Sequence, residues 1–385
     1  MQEARAGSAP RSGGRPRTRL RAAMWLAVAW AGSATLPAQA QQSSSVEPAV
    51  RHPACVEAAK GTTGANARPV DEAGFVRLGG LRQWVLIEGA DCRNPVVLIV
   101  HGGPGNPYTP YAHALFGDWA QRFTVVHWDQ RGAGKTFGEN PQAAEDPLTI
   151  ERIADDGNEL TRYLQVRLGL GERPVILMGG SWGSAVAVHM AMRAPALYRA
   201  YVGSSQLVSW GEDLGESYRR THALARQASD AATLAKLDAM GPPPWKDPRH
   251  FGQLRRATRK YEAQVTDPAP AGWWKPAAGY DTPAYARAYT EGEDYSYLEF
   301  VGKAGDGMGP GIDLRRLGTR FAMPVILIQG VEDLVTPMTV SRAWFDELKA
   351  PDKRFVPLAR TGHDPNAAML KAQLDAIEGL RDPVR

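Results

Sequence analysis

The chain has 385 residues, 43% of them apolar and 22% charged, with 40 Gly, 29 Pro and 2 Cys. This composition is globular and excludes a disordered chain, a collagen-like repeat and a miniprotein built on disulfides. The length fits two domains or one large α/β domain with an insertion, and the formal charge of +4 is set by the N-terminus.

Residues 1–40 read as a signal peptide. Arg5, Arg11, Arg15, Arg17, Arg19 and Arg21 precede an apolar run over 22–36, and Ala38-Gln39-Ala40 puts small residues where a signal peptidase cuts. The run is shorter than the ~20 residues of a spanning helix and contains Gly32, Ser33 and Thr35, so cleavage is expected and no stable membrane anchor afterwards. With the leader go six arginines and one glutamate, and the charge drops from +4 to −1. A nucleic-acid partner therefore has no support, and the expected location is secreted or periplasmic. Cys55 and Cys92 both follow the leader, and in an exported chain the pair is expected to close a disulfide, with two free thiols as the alternative.

Residues 41–73 are polar and read as an N-terminal arm. Strands are predicted at 81–87, 96–100, 123–128, 175–178, 200–203, 325–328 and 354–357, and helices at 150–168, 182–193, 339–348 and 366–380. Several of the strands are nearly continuous Val, Ile and Leu, as a strand covered on both faces requires. The fold class is α/β, a mostly parallel sheet between helices, in two parts at 74–205 and 319–385. Between them, 206–318 breaks the alternation. Helix-like windows at 215–239 and 283–289, Trp210, Trp245, Trp273 and Trp274, and the breaker Gly241-Pro242-Pro243-Pro244 read as an inserted, mainly helical cap.

Gly179-Gly180-Ser181-Trp182-Gly183 lies between a predicted strand and a predicted helix. A serine held in a strained strand-to-helix turn needs unhindered neighbours, and glycines two residues to either side provide them. Serine is a weak nucleophile at neutral pH and needs a base and a group that orients it. Asp333, beyond the strand at 325–328, is the predicted acid, with Glu332 as its competitor, and His363, beyond the last strand, is the predicted base. His101-Gly102-Gly103-Pro104-Gly105 follows the strand at 96–100 and can bring an N–H to a developing oxyanion. Gly103 and Trp182 are the predicted donors, with Gly102 as the substitute for Gly103. His101 itself reads as structural.

Such a triad needs no metal and no cofactor. The histidines show no metal-ligand spacing, and Gly132-Ala133-Gly134-Lys135-Thr136 fails as a phosphate loop because Asp129 stands where a glycine is required.

His101-Gly102-Gly103-Pro104-Gly105, Asp129-Gln130-Arg131-Gly132-Ala133-Gly134 and Gly179-Gly180-Ser181-Trp182-Gly183-Ser184 together resemble the proline iminopeptidase (prolyl aminopeptidase) family of the α/β-hydrolase fold. The resemblance covers about 74–203 and 323–362. It departs at Val331, where the family usually has Arg, and in the cap. It implies a serine exopeptidase that releases an N-terminal proline from a small peptide or amide, with cap carboxylates holding the free amino group. Glu291, Glu293 and Glu299 are the candidates for that role, since a buried ammonium is costly without a carboxylate partner. An esterase or lactonase with the same machinery, and a non-catalytic binding protein on the same fold, are the rival readings.

Overall fold

The computed structural model describes His52, Pro53, Cys55 and residues 68–141 and 148–380. The expected leader and most of the expected arm lie outside the described residues.

Among the described residues eight strands form one sheet: β1 (Val70–Leu78), β2 (Leu81–Gly89), β3 (Val96–Val100), β4 (Thr124–Trp128), β5 (Val175–Gly180), β6 (Tyr198–Ser204), β7 (Val325–Gly330) and β8 (Lys353–Leu358). Their order across the sheet is β1-β2-β4-β3-β5-β6-β7-β8. β1 and β2 pair antiparallel, β2 joins β4 antiparallel, and every later pairing is parallel. The helices are α1 (Ala112–Phe116), α2 (Gly134–Glu139), α3 (Ile150–Arg167), α4 (Trp182–Arg193), α5 (Trp210–Gln227), α6 (Ala231–Met240), α7 (Pro248–Glu262), α8 (Pro283–Val301), α9 (Met338–Glu347) and α10 (Ala367–Glu378).

The strand chemistry explains the layers. In β3 all five residues are buried; Val96, Leu98 and Val100 join one apolar cluster, while Val97 and Ile99 join another on the opposite face. The first cluster takes Leu160 and Leu164 of α3, Val186 and Val188 of α4 and Trp344 of α9; the second takes Phe116 of α1 and Leu370 and Ile377 of α10. Each fully buried Leu, Ile or Val contributes roughly 1.5–3 kcal/mol of hydrophobic transfer. The sheet is therefore the rigid frame.

β1 lies partly within the stretch read as an arm. Its sequence, VDEAGFVRL, lacks an apolar run because it is the edge strand, buried fully only at Val70 and Leu78 and turned into β2 through Gly79 and Gly80. Cys55 and Cys92 are disulfide-bonded, with Cα atoms 5.5 Å apart. Closing a loop over a separation of 37 residues restricts the unfolded chain and stabilises the fold by about 4 kcal/mol in the chain-entropy picture.

The segment between β6 and β7 carries α5 to α8. The window at 215–239 is two helices, because Ser229 turns the chain at φ 51° and the Asp230 side chain caps α6 by accepting the Thr233 N–H at 3.1 Å. α8 runs on to Val301, beyond the predicted window at 283–289. Among the described residues no helix is long and apolar enough to cross a membrane.

Candidate active site

Ser181 sits between β5 and α4 with φ 52° and ψ −126°, a conformation that costs a non-glycine residue about 1–3 kcal/mol. Close packing holds it there. A Cβ on Gly183 would lie 2.1 Å from the Val100 carbonyl oxygen, and one on Gly179 would lie 2.4 Å from the Gly183 carbonyl oxygen. The two glycines thus allow the elbow to rest directly on neighbouring backbone.

Three side chains from distant parts of the chain meet at the strand ends. Ser181 Oγ is 2.9 Å from His363 Nε2, and His363 Nδ1 is 3.1 Å from both carboxylate oxygens of Asp333. Asp333 is fully buried and heavily hydrogen-bonded. Its Oδ1 accepts the N–H groups of Val335 (2.8 Å) and Thr336 (2.9 Å), while Oδ2 accepts the Thr336 hydroxyl (2.8 Å) and the Gln329 amide (3.0 Å). Burial alone pushes this carboxyl up, but the His363 charge and the bonds from His363 and Thr336 outweigh it and hold it below the usual carboxylate value. Glu332, the competing acid, is not among these partners.

The loop from His101 to Gly105 lies against the elbow, where a Cβ on Gly102 would come 3.4 Å from Ser181 Cβ. Gly103 and Trp182, the predicted oxyanion donors, both line the cavity above Ser181. Trp182 opens α4, where backbone N–H groups have no intrahelical acceptor.

Gln130 joins the three sequence motifs. Its side chain donates to the His101 carbonyl (2.9 Å) and accepts the Trp182 indole N–H (3.0 Å), while its backbone N–H donates to His101 Nε2 (3.2 Å). A backbone N–H only donates, so Nε2 is unprotonated and Nδ1–H donates to the Gly102 carbonyl at 2.8 Å. Burial pushes the imidazole down to about 4, which makes His101 a neutral strut. Asp129 is likewise architectural: it accepts the Thr109 hydroxyl (2.6 Å) and the Lys135 N–H (2.8 Å).

A cavity of about 320 Å³ opens over Ser181 and His363. Of the three cap glutamates, Glu293 lines it; Glu291 is exposed, and Glu299 accepts the Leu148 N–H at 3.3 Å. Positions 291, 293 and 299 point in different directions because a helix turns ~100° per residue. Asp213, at the start of α5, also lines the cavity and is only 2% exposed. Its Oδ2 accepts the N–H groups of Val208 (2.9 Å) and Ser209 (3.0 Å), and its Oδ1 has no hydrogen-bond partner among the described residues. Burial, with the charges of Asp333 and Glu212 adding, pushes this carboxyl well above its usual value despite the two backbone bonds.

Several site residues are not marked in the sequence reading: Asp213, Thr336, Gln329, Glu262 and the arginines of α7. The spacing of Asp333 and Thr336 carries a turn signal, an Asp accepting N–H groups two and three residues on. Glu262, at the end of α7, accepts the Leu334 N–H at 2.7 Å, so the cap is bonded to the residue next to Asp333. Burial raises its carboxyl, the Asp333 charge raises it further, and His363, Arg255 and the Leu334 bond oppose this.

The sequence pattern described as alpha/beta hydrolase fold matches residues 95–367. The chain belongs to the α/β-hydrolase fold family. It is a hydrolase similar to proline iminopeptidases. It is 27% identical over 305 residues to a probable aminopeptidase, YbaC, of Bacillus subtilis (strain 168), covering 75% of this chain and 89% of that one. A probable proline iminopeptidase of Streptomyces coelicolor is 26% identical over 308 residues, covering 74% and 89%. The crystal structure of a Mycobacterium smegmatis proline iminopeptidase superposes with a TM-score of 0.56 at 20% identity, over 80% of this chain and 97% of that one, a likeness of fold.

Proposed function

We propose that this hydrolase is an exported serine aminopeptidase that releases an N-terminal proline, or a similar small residue, from short peptides and amides. The observation that carries the reading is the hydrogen-bonded chain Ser181–His363–Asp333 opening into a cavity lined in part by the buried carboxyl residue Asp213, which has no cationic partner among the described residues. His363 Nε2 takes the Ser181 proton as Oγ attacks the carbonyl, and Asp333 holds Nδ1–H and stabilises the imidazolium. The Gly103 and Trp182 N–H groups receive the oxyanion. The amine leaves with the proton from His363, and water, activated by the same imidazole, releases the acid from Ser181.

The amino end of the substrate supplies what Asp213 lacks. A buried carboxyl without a charge partner prefers its neutral form, and a substrate ammonium restores the ion pair. Glu293 in the same cavity adds a second carboxylate. The relatives named as aminopeptidases support a peptide substrate. The leader pattern at 1–40 and the Cys55–Cys92 disulfide support export.

The test compares proline 4-nitroanilide, N-acetylproline 4-nitroanilide and 4-nitrophenyl acetate. Cleavage of the free-amine anilide and not of its acetylated form is expected. Hydrolysis of the ester with neither anilide cleaved would instead establish an esterase.

A further inference from the structure

We propose that cap helix α7 carries a carboxylate-binding subsite, built on Arg256 and Arg259, that takes the free C-terminal carboxylate of a dipeptide substrate. The inference rests on the aminopeptidase reading and names the substrate class more narrowly.

The cavity is charged with both signs on separate elements. Asp213 and Glu293 come from α5 and α8, whereas Arg255, Arg256 and Arg259 all come from α7. These arginines are not equivalent. Arg255 is committed, with Nη2 donating to Asp364 Oδ1 at 2.7 Å and Nη1 lying 3.8 Å from Glu262 Oε2. Arg259 reaches Asp364 only at 3.4 Å and stays 63% exposed. The Arg256 side chain makes no ion pair and no hydrogen bond among the described residues, although it lines the cavity. Residues three apart share a helix face, so Arg256 and Arg259 both line the cavity from the same side of α7.

A guanidinium binds a carboxylate through paired N–H donors better than any other side chain does, so an unpaired one lining the same cavity as Ser181 favours an anionic substrate group. The acidic residues Asp213 and Glu293 already suit the substrate's ammonium. A molecule that satisfies both must carry a free amine and a free carboxylate within a cavity of about 320 Å³. Each residue extends a chain by ~3.3–3.6 Å, and the cavity is at the small end of the ~300–1,000 Å³ range of ligand sites, a size that suits a dipeptide.

The experiment measures kcat/KM for Pro-Gly and for Pro-Gly-amide, which differ only in the carboxylate, with proline 4-nitroanilide alongside. The native enzyme is expected to prefer Pro-Gly by about tenfold or more, in line with one well-formed charged contact. Arg256→Gln should bring that ratio close to one, through a raised KM for Pro-Gly, and Arg259→Gln should lower it part-way. Equal rates on the acid and the amide, with the anilide cleaved, overturn the subsite while leaving the aminopeptidase reading intact. An unchanged ratio in both variants also overturns the subsite. No cleavage of any of the three overturns the aminopeptidase reading, and this inference with it.

Discussion

The loops at the strand ends and the inner surface of the cap face each other across one cavity, and they are built differently. Asp333 is fully buried and receives bonds from Val335, Thr336, Gln329 and His363, while the turn that holds Ser181 packs closely on Val100 at Gly183. Across the cavity, Glu293 and Arg256 are exposed side chains on helix faces, and the Arg256 side chain has no hydrogen bond or ion pair among the described residues. Positions fixed by many contacts suit bond-making, which tolerates little misplacement, whereas loosely held charges suit selection among ligands. Glu262 and Arg220 tie the cap to the loop that carries Asp333, bonding the Leu334 N–H and the Asp333 carbonyl.

That contrast is sharpest at Ser181. Ser181→Ala should lower kcat/KM on proline 4-nitroanilide by at least about 10³-fold while leaving the thermal midpoint nearly unchanged, because only the attacking atom is removed. Activity within tenfold of native would move the chemistry elsewhere. Asp333→Asn should cost on the order of 10³–10⁴-fold in kcat, because an amide turns a donor towards a position where Gln329, Thr336 and His363 all donate. KM should move little. A loss confined to KM would reassign Asp333 to binding.

Asp129 offers a test of stability. Burial raises its carboxyl to about 7, so between about pH 4 and 7 the folded state keeps a proton that the unfolded chain has lost. Stability should therefore fall as pH rises through that window, by on the order of 4 kcal/mol from this group. Asp129→Asn should flatten the slope, since the amide oxygen still accepts the Lys135 N–H and Thr109 can accept as well as donate. Urea unfolding at pH 4.5 and 8 measures it, and an equal slope in both proteins contradicts the assignment.

Glu262→Gln is the mildest change. The amide oxygen keeps the Leu334 bond while the charge near Asp333 disappears, so a loss of activity below about fivefold is expected. Since the glutamate carboxyl is raised in the fold, its ionisation destabilises the native protein as pH rises. The variant should then match or exceed the native thermal midpoint at pH 8, and a midpoint several degrees lower would show that the charge itself holds the cap.

Legibility in the sequence follows the same division. The interior strands were readable because burial on both faces demands runs such as VVLIV, and β1 was not, because an edge strand with mixed exposure has no such run. The elbow, the acid and the base follow strand ends, so local pattern and chain order were enough to bring Ser181, Asp333 and His363 forward. The cap defeats that approach. Nothing local distinguishes Glu293 from Glu291, or Arg256 from Arg255; the difference lies in which face of α8 is turned inward and in Asp364, more than 100 residues away, engaging Arg255. Asp213 was hidden in the same way, as an ordinary acid near a helix start that the fold brings to the cavity wall.

The most direct test of the account is labelling with a fluorophosphonate probe, read by peptide mass spectrometry on the native protein and on His363→Ala. The account predicts stoichiometric modification of Ser181 in the native protein and its near-complete loss in the variant. Absence of labelling at Ser181, or equal labelling without the imidazole, would contradict a serine activated by His363.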